Sequence, residues 1–213
     1  MQDSMLAVQK AILDFDFDAI DEAVRSCLDR GIPAWEIIRD GISQAMVVVG
    51  DKFSSGEYFL ADLVMSGEVV EEAMALLRDK LGTADNFSKG QVILATVKGD
   101  LHDLGKSIVS MMLSASGFEV IDLGVDVSEE KIVQAAKNSG AKAVGLTMLL
   151  TTAASSVKNV VDAFIEAGMR DKVRIAIGGA SANQRLADES GADAYGEDAV
   201  KAVALFDRFL QEV

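Results

Sequence analysis

Apolar residues recur at helical spacing along the first 81 positions and in short β-rich runs after position 90. Met5, Val8, Ala11 and Ile12 share one face of a helix. Ile20, Ala23, Val24, Cys27 and Leu28 form a second stripe, with Asp18 as its expected cap and Gly31 near its end. Pro33, the single proline, suits the first turn of a third helix, where its missing N–H is one that would lack an intrahelical partner. That helix carries Ile37, Ile38, Ile42, Ala45, Met46 and Val49; a fourth runs through Leu60, Leu63, Val64, Val69, Val70, Met74, Leu77 and Leu81. Amphipathic helices joined by short connections predict a small all-α four-helix bundle.

The polar, glycine-flanked stretch from Gly82 to Gly90 reads as a connection, so the expected organisation is a helical domain over 1–82, a linker over 83–90 and a second domain over 91–213. In the second domain the strands expected are Val92–Val97, Phe118–Leu123, Ala143–Thr147, Val173–Ile177 and a short one near Ala194-Tyr195. Helices are expected over roughly 106–116, 128–138, 154–167, 183–190 and 198–211, with Ser128 as an N-cap and Gly140 and Gly168 just past helix ends. Strands alternating with helices imply an α/β, Rossmann-type, flavodoxin-like five-stranded parallel sheet. Ligands in such sheets bind beyond the carboxyl ends of the strands. The segments Gly99–Gly105, Thr147–Thr152, Gly178–Ser181 and Gly196 all fall there.

Charge and cysteine content narrow the classes. A net charge of −14 opposes binding to nucleic acid or to an anionic membrane surface, both of which require cations on the protein. Cys27, the single cysteine, cannot form an intramolecular disulfide and reads as a buried small hydrophobe. No apolar run approaches the about 20 residues that span a bilayer. Acids at Asp3, Asp14 and Asp16 replace the basic start of a leader, so a cytoplasmic location is expected.

The chemistry concentrates at His102, the single histidine, in Asp100-Leu101-His102-Asp103-Leu104-Gly105 at the end of the first expected strand. Imidazole is a common metal ligand, and its second nitrogen is ordinarily held by a carboxylate such as Asp100. Asp103 reads as a solvated acid at a helix start, Lys106 as a first-turn surface residue, and Trp35 as packing. Gly178-Gly179 alone would suit an ordinary strand-to-helix turn, and Thr151-Thr152 would suit a cap of the following helix.

The motif Asp-x-His-x-x-Gly, with Thr147-Met148-Leu149 after the third strand and Gly178-Gly179 after the fourth, resembles the signature of base-off, His-on cobalamin-binding domains. The helical half, with Gly50-Asp51-Lys52-Phe53-Ser54-Ser55-Gly56-Glu57-Tyr58-Phe59-Leu60, is similar to the cap of methionine synthase and of methyltransferase corrinoid proteins. The resemblance covers essentially the whole chain. It implies a cobalamin or related corrinoid whose benzimidazole leaves cobalt and enters the protein as a tail. His102 would be the lower axial ligand and Asp100 its hydrogen-bond partner. Leu101, Asp103, Leu104 and Gly105 would line the ring, and Thr147, Leu149, Thr151, Gly178, Gly179 and Gly196 would line the tail. Phe59, Leu60, Leu63 and Met65 are the candidates for shielding the upper face, although apolar residues at helical spacing are more often ordinary bundle core. Thr147 stands where the family has serine, and Ala153 stands where methionine synthases place a serine of the proton relay, with Thr151 and Thr152 as neighbouring substitutes.

The implied function is a methyl carrier. A substrate-specific methyltransferase would load a methyl group onto Co(I), and a second methyltransferase would pass it from methyl-Co(III) to tetrahydrofolate or a thiol. A reductive activase is a plausible further partner. The carrier would depend on these partners for turnover. The donor could be methanol, a methylamine, a quaternary amine or a methoxylated aromatic. A cobalamin-dependent sensor is the alternative, disfavoured because the cap has no histidine and the charge opposes DNA contact. A mutase subunit would pair with a large barrel. A flavodoxin-like FMN or receiver module is disfavoured by the histidine after the first strand.

Overall fold

The helical spacing of the first half gives the helices it implies. In this computed structural model residues 2–78, 80 and 88–211 are described. The linker expectation lies outside the described residues through position 87, as does Leu81. Residue contacts divide the chain into two units, residues 1–88 with 114–117 and residues 89–113 with 118–213.

The first unit holds α1 (Gln2–Leu13), α2 (Phe17–Asp29), α3 (Ala34–Glu36), α4 (Ser43–Ser54) and α5 (Leu60–Arg78). The expected stripes are the buried ones: Met5, Val8, Ala11 and Ile12 on α1, and Ile20, Ala23, Val24 and Cys27 on α2. Two local expectations change. The cap of α2 is Asp16, whose carboxylate accepts the N–H of Ala19 at 2.9 Å, while Asp18 lies inside the first turn. The third helix is not uniform. Pro33 precedes α3, and a π-helical segment, Ile37–Ile42, joins α3 to α4. The π segment brings Gly41 against α1, where an added Cβ would sit 3.0 Å from a Val8 methyl, and the Asp40 carbonyl accepts a bond from the Gln9 side chain at 2.7 Å. At the start of α5 the Asp62 carboxylate takes the Phe59 N–H at 2.7 Å.

The second unit is a parallel sheet of β1 (Gln91–Thr96), β2 (Glu119–Asp122), β3 (Ala143–Thr147), β4 (Arg174–Gly178) and β5 (Ala194–Gly196), in the order β2-β1-β3-β4-β5. The connecting helices are α6 (Leu104–Ala115), α7 (Glu129–Ser139), α8 (Ala154–Glu166) and α9 (Gln184–Ser190), and α10 (Ala199–Gln211) closes the chain. Ser128 caps α7, and Gly140 takes the left-handed conformation at its end, as expected. Alternate residues of the strands feed two cores. Ile93, Ala95, Val144, Leu146, Ile175 and Ile177 pack on one face with Val157, Val160, Val161 and Phe164 of α8. Val92, Leu94, Ala143 and Ala176 pack on the other with Leu113 of α6 and Phe206 and Phe209 of α10. Burial on both faces explains why these strands read as continuous apolar runs.

Candidate functional site

Strand order reverses between β1 and β3, and the site is built at that switch point. There the connections leave toward opposite faces, the place where sheets of this kind take ligands. Thr96, Thr147, Gly178 and Gly196 are register partners along one row across β1, β3, β4 and β5. Three of the tail positions, Thr147, Gly178 and Gly196, therefore share the edge that the alternation predicts.

Asp100 is fully buried and belongs to the turn after β1. Its Oδ1 accepts the backbone N–H of His102 at 3.0 Å and lies 2.6 Å from His102 Nδ1. Its Oδ2 accepts the N–H groups of Leu149 and Leu150, at 2.6 and 2.8 Å, from the turn after β3. Burial pushes the carboxyl's proton affinity up. The hydrogen bonds from Leu150, His102 and Leu149 outweigh it and hold Asp100 well below the usual carboxylate range. An ionised Asp100 can only accept, so Nδ1 of His102 is the donor, and in the neutral imidazole Nε2 is the nitrogen that keeps its lone pair. No group among the described residues is bonded to Nε2, and the imidazole is about half exposed at 52 %.

This donor set suits one kind of metal. Among the described residues no cluster of three or more His, Cys, Asp or Glu side chains could hold an ion. A single oriented imidazole fits a metal that arrives with its other ligands in a macrocycle, as the corrin ring brings them to cobalt. The space around it fits too. Gly105, in the first turn of α6, has nothing within 4 Å of where a Cβ would stand, so the protein itself does not require glycine there. Leu101 and Leu104 flank the imidazole in sequence, and both expose large apolar side chains, Leu101 to 72 %. Paired apolar exposure around a ring nitrogen that bonds no described group is a feature of binding surfaces.

The tail-side residues divide. Gly179 has φ +104°, and an added Cβ would lie 2.1 Å from the Met148 carbonyl oxygen, so the close approach of β3 and β4 loops demands it. Gly178 would meet the Gly196 carbonyl at 3.2 Å. Leu149 is exposed, and its carbonyl accepts the Ser181 hydroxyl. Thr147 lies 3.0 Å from the hydroxyl of the buried Thr96, which donates to the His102 carbonyl at 3.0 Å. A hydroxyl has one proton, so Thr147 is the donor to Thr96 and turns its lone pairs outward.

Four expectations are corrected. Neither Thr151 nor Thr152 is among the groups bonded to Asp100; both are exposed in a 3₁₀ turn, and the carboxylate's partners beyond His102 are backbone N–H groups. That turn leads into α8 with no side-chain cap, so the capping role also fails. Lys106 is not a surface residue but is 2 % exposed, paired with Asp103 at 2.7 Å and with Asp122. Asp103, half exposed, also accepts the Ser107 hydroxyl. In the helical unit Phe59, Leu60 and Met65 are exposed, whereas Leu63 is buried inside the bundle. Thr96 and Asp122 were not singled out by the sequence. Thr96 could have been, since a hydroxyl ending an apolar strand needs a buried partner.

Comparison with known proteins agrees with this geometry. The B12 binding domain family matches residues 90–204, and a second family of the same description matches residues 7–78. A corrinoid protein of Desulfitobacterium hafniense is 35 % identical over 206 residues, covering 95 % of each chain. The dimethylamine corrinoid protein of Methanosarcina barkeri is 41 % identical over 170 residues, 79 % of this chain and 80 % of that one. A chain in the crystal structure of the methanol:cobalamin methyltransferase complex of Methanosarcina barkeri superposes with a TM-score of 0.88 at 29 % identity, covering 99 % of this chain and 81 % of that one. Among the described residues no helix is long and apolar enough to cross a membrane.

Proposed function

Because this chain belongs to the corrinoid proteins that join the two B12 binding domains, we propose that it is the methyl carrier of a corrinoid-dependent methyltransferase system, with His102 as lower axial ligand. The observation that carries the ligand assignment is the Asp100–His102 pair, which fixes the imidazole tautomer and leaves Nε2 open at the switch point. When bound, the corrinoid supplies a cobalt centre that takes up and releases a methyl group. The chain's own residues hold and tune it. His102 would offer Nε2 to the metal, and Asp100 would raise its basicity by accepting the Nδ1–H hydrogen bond. Leu101 and Leu104 pack against the ring, and Gly105 keeps room for it. Thr147, Leu149, Thr151, Gly178, Gly179 and Gly196 border the buried tail, and Thr147 meets it as an acceptor. Phe59, Leu60 and Met65 shield the upper face.

A substrate-specific methyltransferase loads the carrier and a second one unloads it to tetrahydrofolate or a thiol, with a reductive activase restoring the reduced state. The relatives named for dimethylamine and the structural neighbour named for methanol make small methylated compounds the donors to try first. A cytoplasmic setting suits the single unpaired cysteine.

The test is reconstitution with hydroxocobalamin. The parent protein should retain it in a base-off form, with a nitrogen lower ligand visible in the electron paramagnetic resonance of the Co(II) state. His102→Ala should retain the corrinoid and lose the nitrogen signal; a variant spectrum identical to the parent's would remove His102 from cobalt. Methylation of the reduced parent by a dimethylamine- or methanol-type methyltransferase would establish the carrier role, and failure with every donor class would overturn it.

A further inference from the structure

Lys106 is buried and charged, and ligand binding does not account for it. Its Nζ lies 2.7 Å from Oδ1 of Asp103 and also donates to Oδ2 of Asp122. Burial alone would favour loss of its proton; the two carboxylates more than offset this and hold the ammonium above the ordinary lysine value. A buried ion pair is a poor source of net stability, because desolvating the charges cancels most of their attraction, and hydrophobic side chains in place of the whole pair often serve as well or better. What the pair supplies is a fixed direction. Asp103 is the residue after His102. Asp122 is the last residue of β2, the edge strand beside β1, and its Oδ1 accepts the Gly124 N–H at 2.8 Å. Lys106 therefore ties the turn carrying His102 to a strand 16 positions further on.

The other anchors that tie that turn to another element lie at or before His102; among them the Gly99 N–H donates to Oδ1 of Asp126 at 2.8 Å and the Ser156 hydroxyl to the Lys98 carbonyl at 2.9 Å. The Leu149 and Leu150 N–H groups hold the Asp100 carboxylate, the Asp126 N–H holds its carbonyl at 3.0 Å, and the Thr96 hydroxyl holds the His102 carbonyl. In the first turn of α6 the Lys106 pair links the downstream end of the His102 turn to another element, whereas the Ser107–Asp103 bond stays within the helix start.

We propose that Lys106 is a positioning residue for the lower ligand: by bridging Asp103 and Asp122 it clamps the downstream end of the His102 turn and so sets how firmly the imidazole stays on cobalt. The proposal rests on the corrinoid-carrier reading of His102.

The experiment compares the full-length parent with Lys106→Met, Asp122→Asn and Lys106→Arg, each loaded with cobalamin. The nitrogen-ligated fraction of the Co(II) state is measured alongside thermal unfolding of the apo protein. Lys106→Met leaves behind two carboxylates that water reaches, Asp103 at 54 % and Asp122 at 35 % exposure, so the apo midpoint should fall little while the ligated-to-unligated ratio falls about tenfold, the usual scale for losing a residue that orients a metal ligand. Asp122→Asn should lower the ratio in the same direction, and Lys106→Arg should restore most of it. A lowered midpoint with an unchanged ratio makes Lys106 merely structural and overturns the clamp. If Lys106→Met does not fold, an unchanged ratio in Asp122→Asn, altered at the part-exposed end, overturns it equally. A parent that shows no nitrogen ligand overturns the carrier reading and the clamp with it; a ligated parent with unaltered variants overturns the clamp alone.

Discussion

Oδ1 of Asp100 stands 2.6 Å from Nδ1 of His102, while the other oxygen of the same carboxylate takes two backbone N–H groups from the turn after β3. One buried side chain therefore does two things. It orients the imidazole, and it stitches together the two loops that flank the switch point.

Replacing Asp100 by Asn keeps the size and removes the match. An amide has one acceptor and two donors, so a donor must face either the His102 ring or the Leu149 and Leu150 N–H groups. A buried donor left unpaired costs about 1–3 kcal/mol. Asp100→Asn should lose about 2–4 kcal/mol of apo stability in chemical denaturation on that scale, and its Co(II) form should show less nitrogen ligation. A variant with the parent's denaturation midpoint would contradict the hydrogen-bond account.

The pH dependence of that loss follows from the depressed carboxyl. A group whose folded-state proton affinity is lowered stabilises the fold above its unfolded value, about 3.9 for Asp, and loses that contribution as pH falls toward the folded value. The stability gap between the parent and Asp100→Asn should narrow as pH falls below about 4, within the window set by those values. Urea titrations at successive pH values measure it. A gap that widens on acidification would have the wrong sign.

Two glycines of the site should respond in opposite ways to alanine. At Gly179 the new Cβ meets the Met148 carbonyl at a distance that real structures do not tolerate, with φ at +104° as well. Gly179→Ala should therefore destabilise the apo protein by about 2 kcal/mol or more, on the scale of strained backbone positions. At Gly105 the Cβ meets nothing, and the position is helical. Gly105→Ala should leave apo stability unchanged or raise it by up to about 1 kcal/mol, yet weaken corrinoid binding. Thermal melts with and without cobalamin separate the two. Equal behaviour of the two variants would mean that the open space at Gly105 is not ligand space.

The order of elements was legible because burial imposes it. Strands covered on both faces must be apolar throughout, and the bundle helices must repeat at their own period. The π segment was not legible, since Ile37, Ile38 and Ile42 satisfy a helical stripe whether or not one turn widens. The His102 motif pointed to its own chemistry, but the partners of Asp100 did not show, because backbone N–H groups carry no sequence signature. Lys106 is a different failure. It stands on the same α6 face as Val109 and Leu113, both of which pack into the core, so helical spacing marked it as inward-facing. The general preference of lysine for solvent hid that signal, because a buried lysine depends on acids that the sequence places on separate elements.

In the helical unit, burial separates residues that the sequence grouped together. Leu63 is 1 % exposed and Phe59 is 71 % exposed, although both belong to the same segment at the start of α5. Truncating Leu63 to alanine removes packed methyls from the bundle and should cost about 2–5 kcal/mol, as core leucines do. Truncating Phe59 removes a side chain with little packing, so Phe59→Ala should change apo stability by no more than about 0.5 kcal/mol. If Phe59 shields the upper face, as proposed, the same variant should let dissolved oxygen or cyanide reach bound cobalt faster than in the parent. Leu63→Ala, compared at a temperature where it is folded, should not. Denaturation of the apo proteins and the rate of cobalt oxidation in the loaded ones give the two readouts, and a Phe59 variant with the parent's rate would remove it from the upper face.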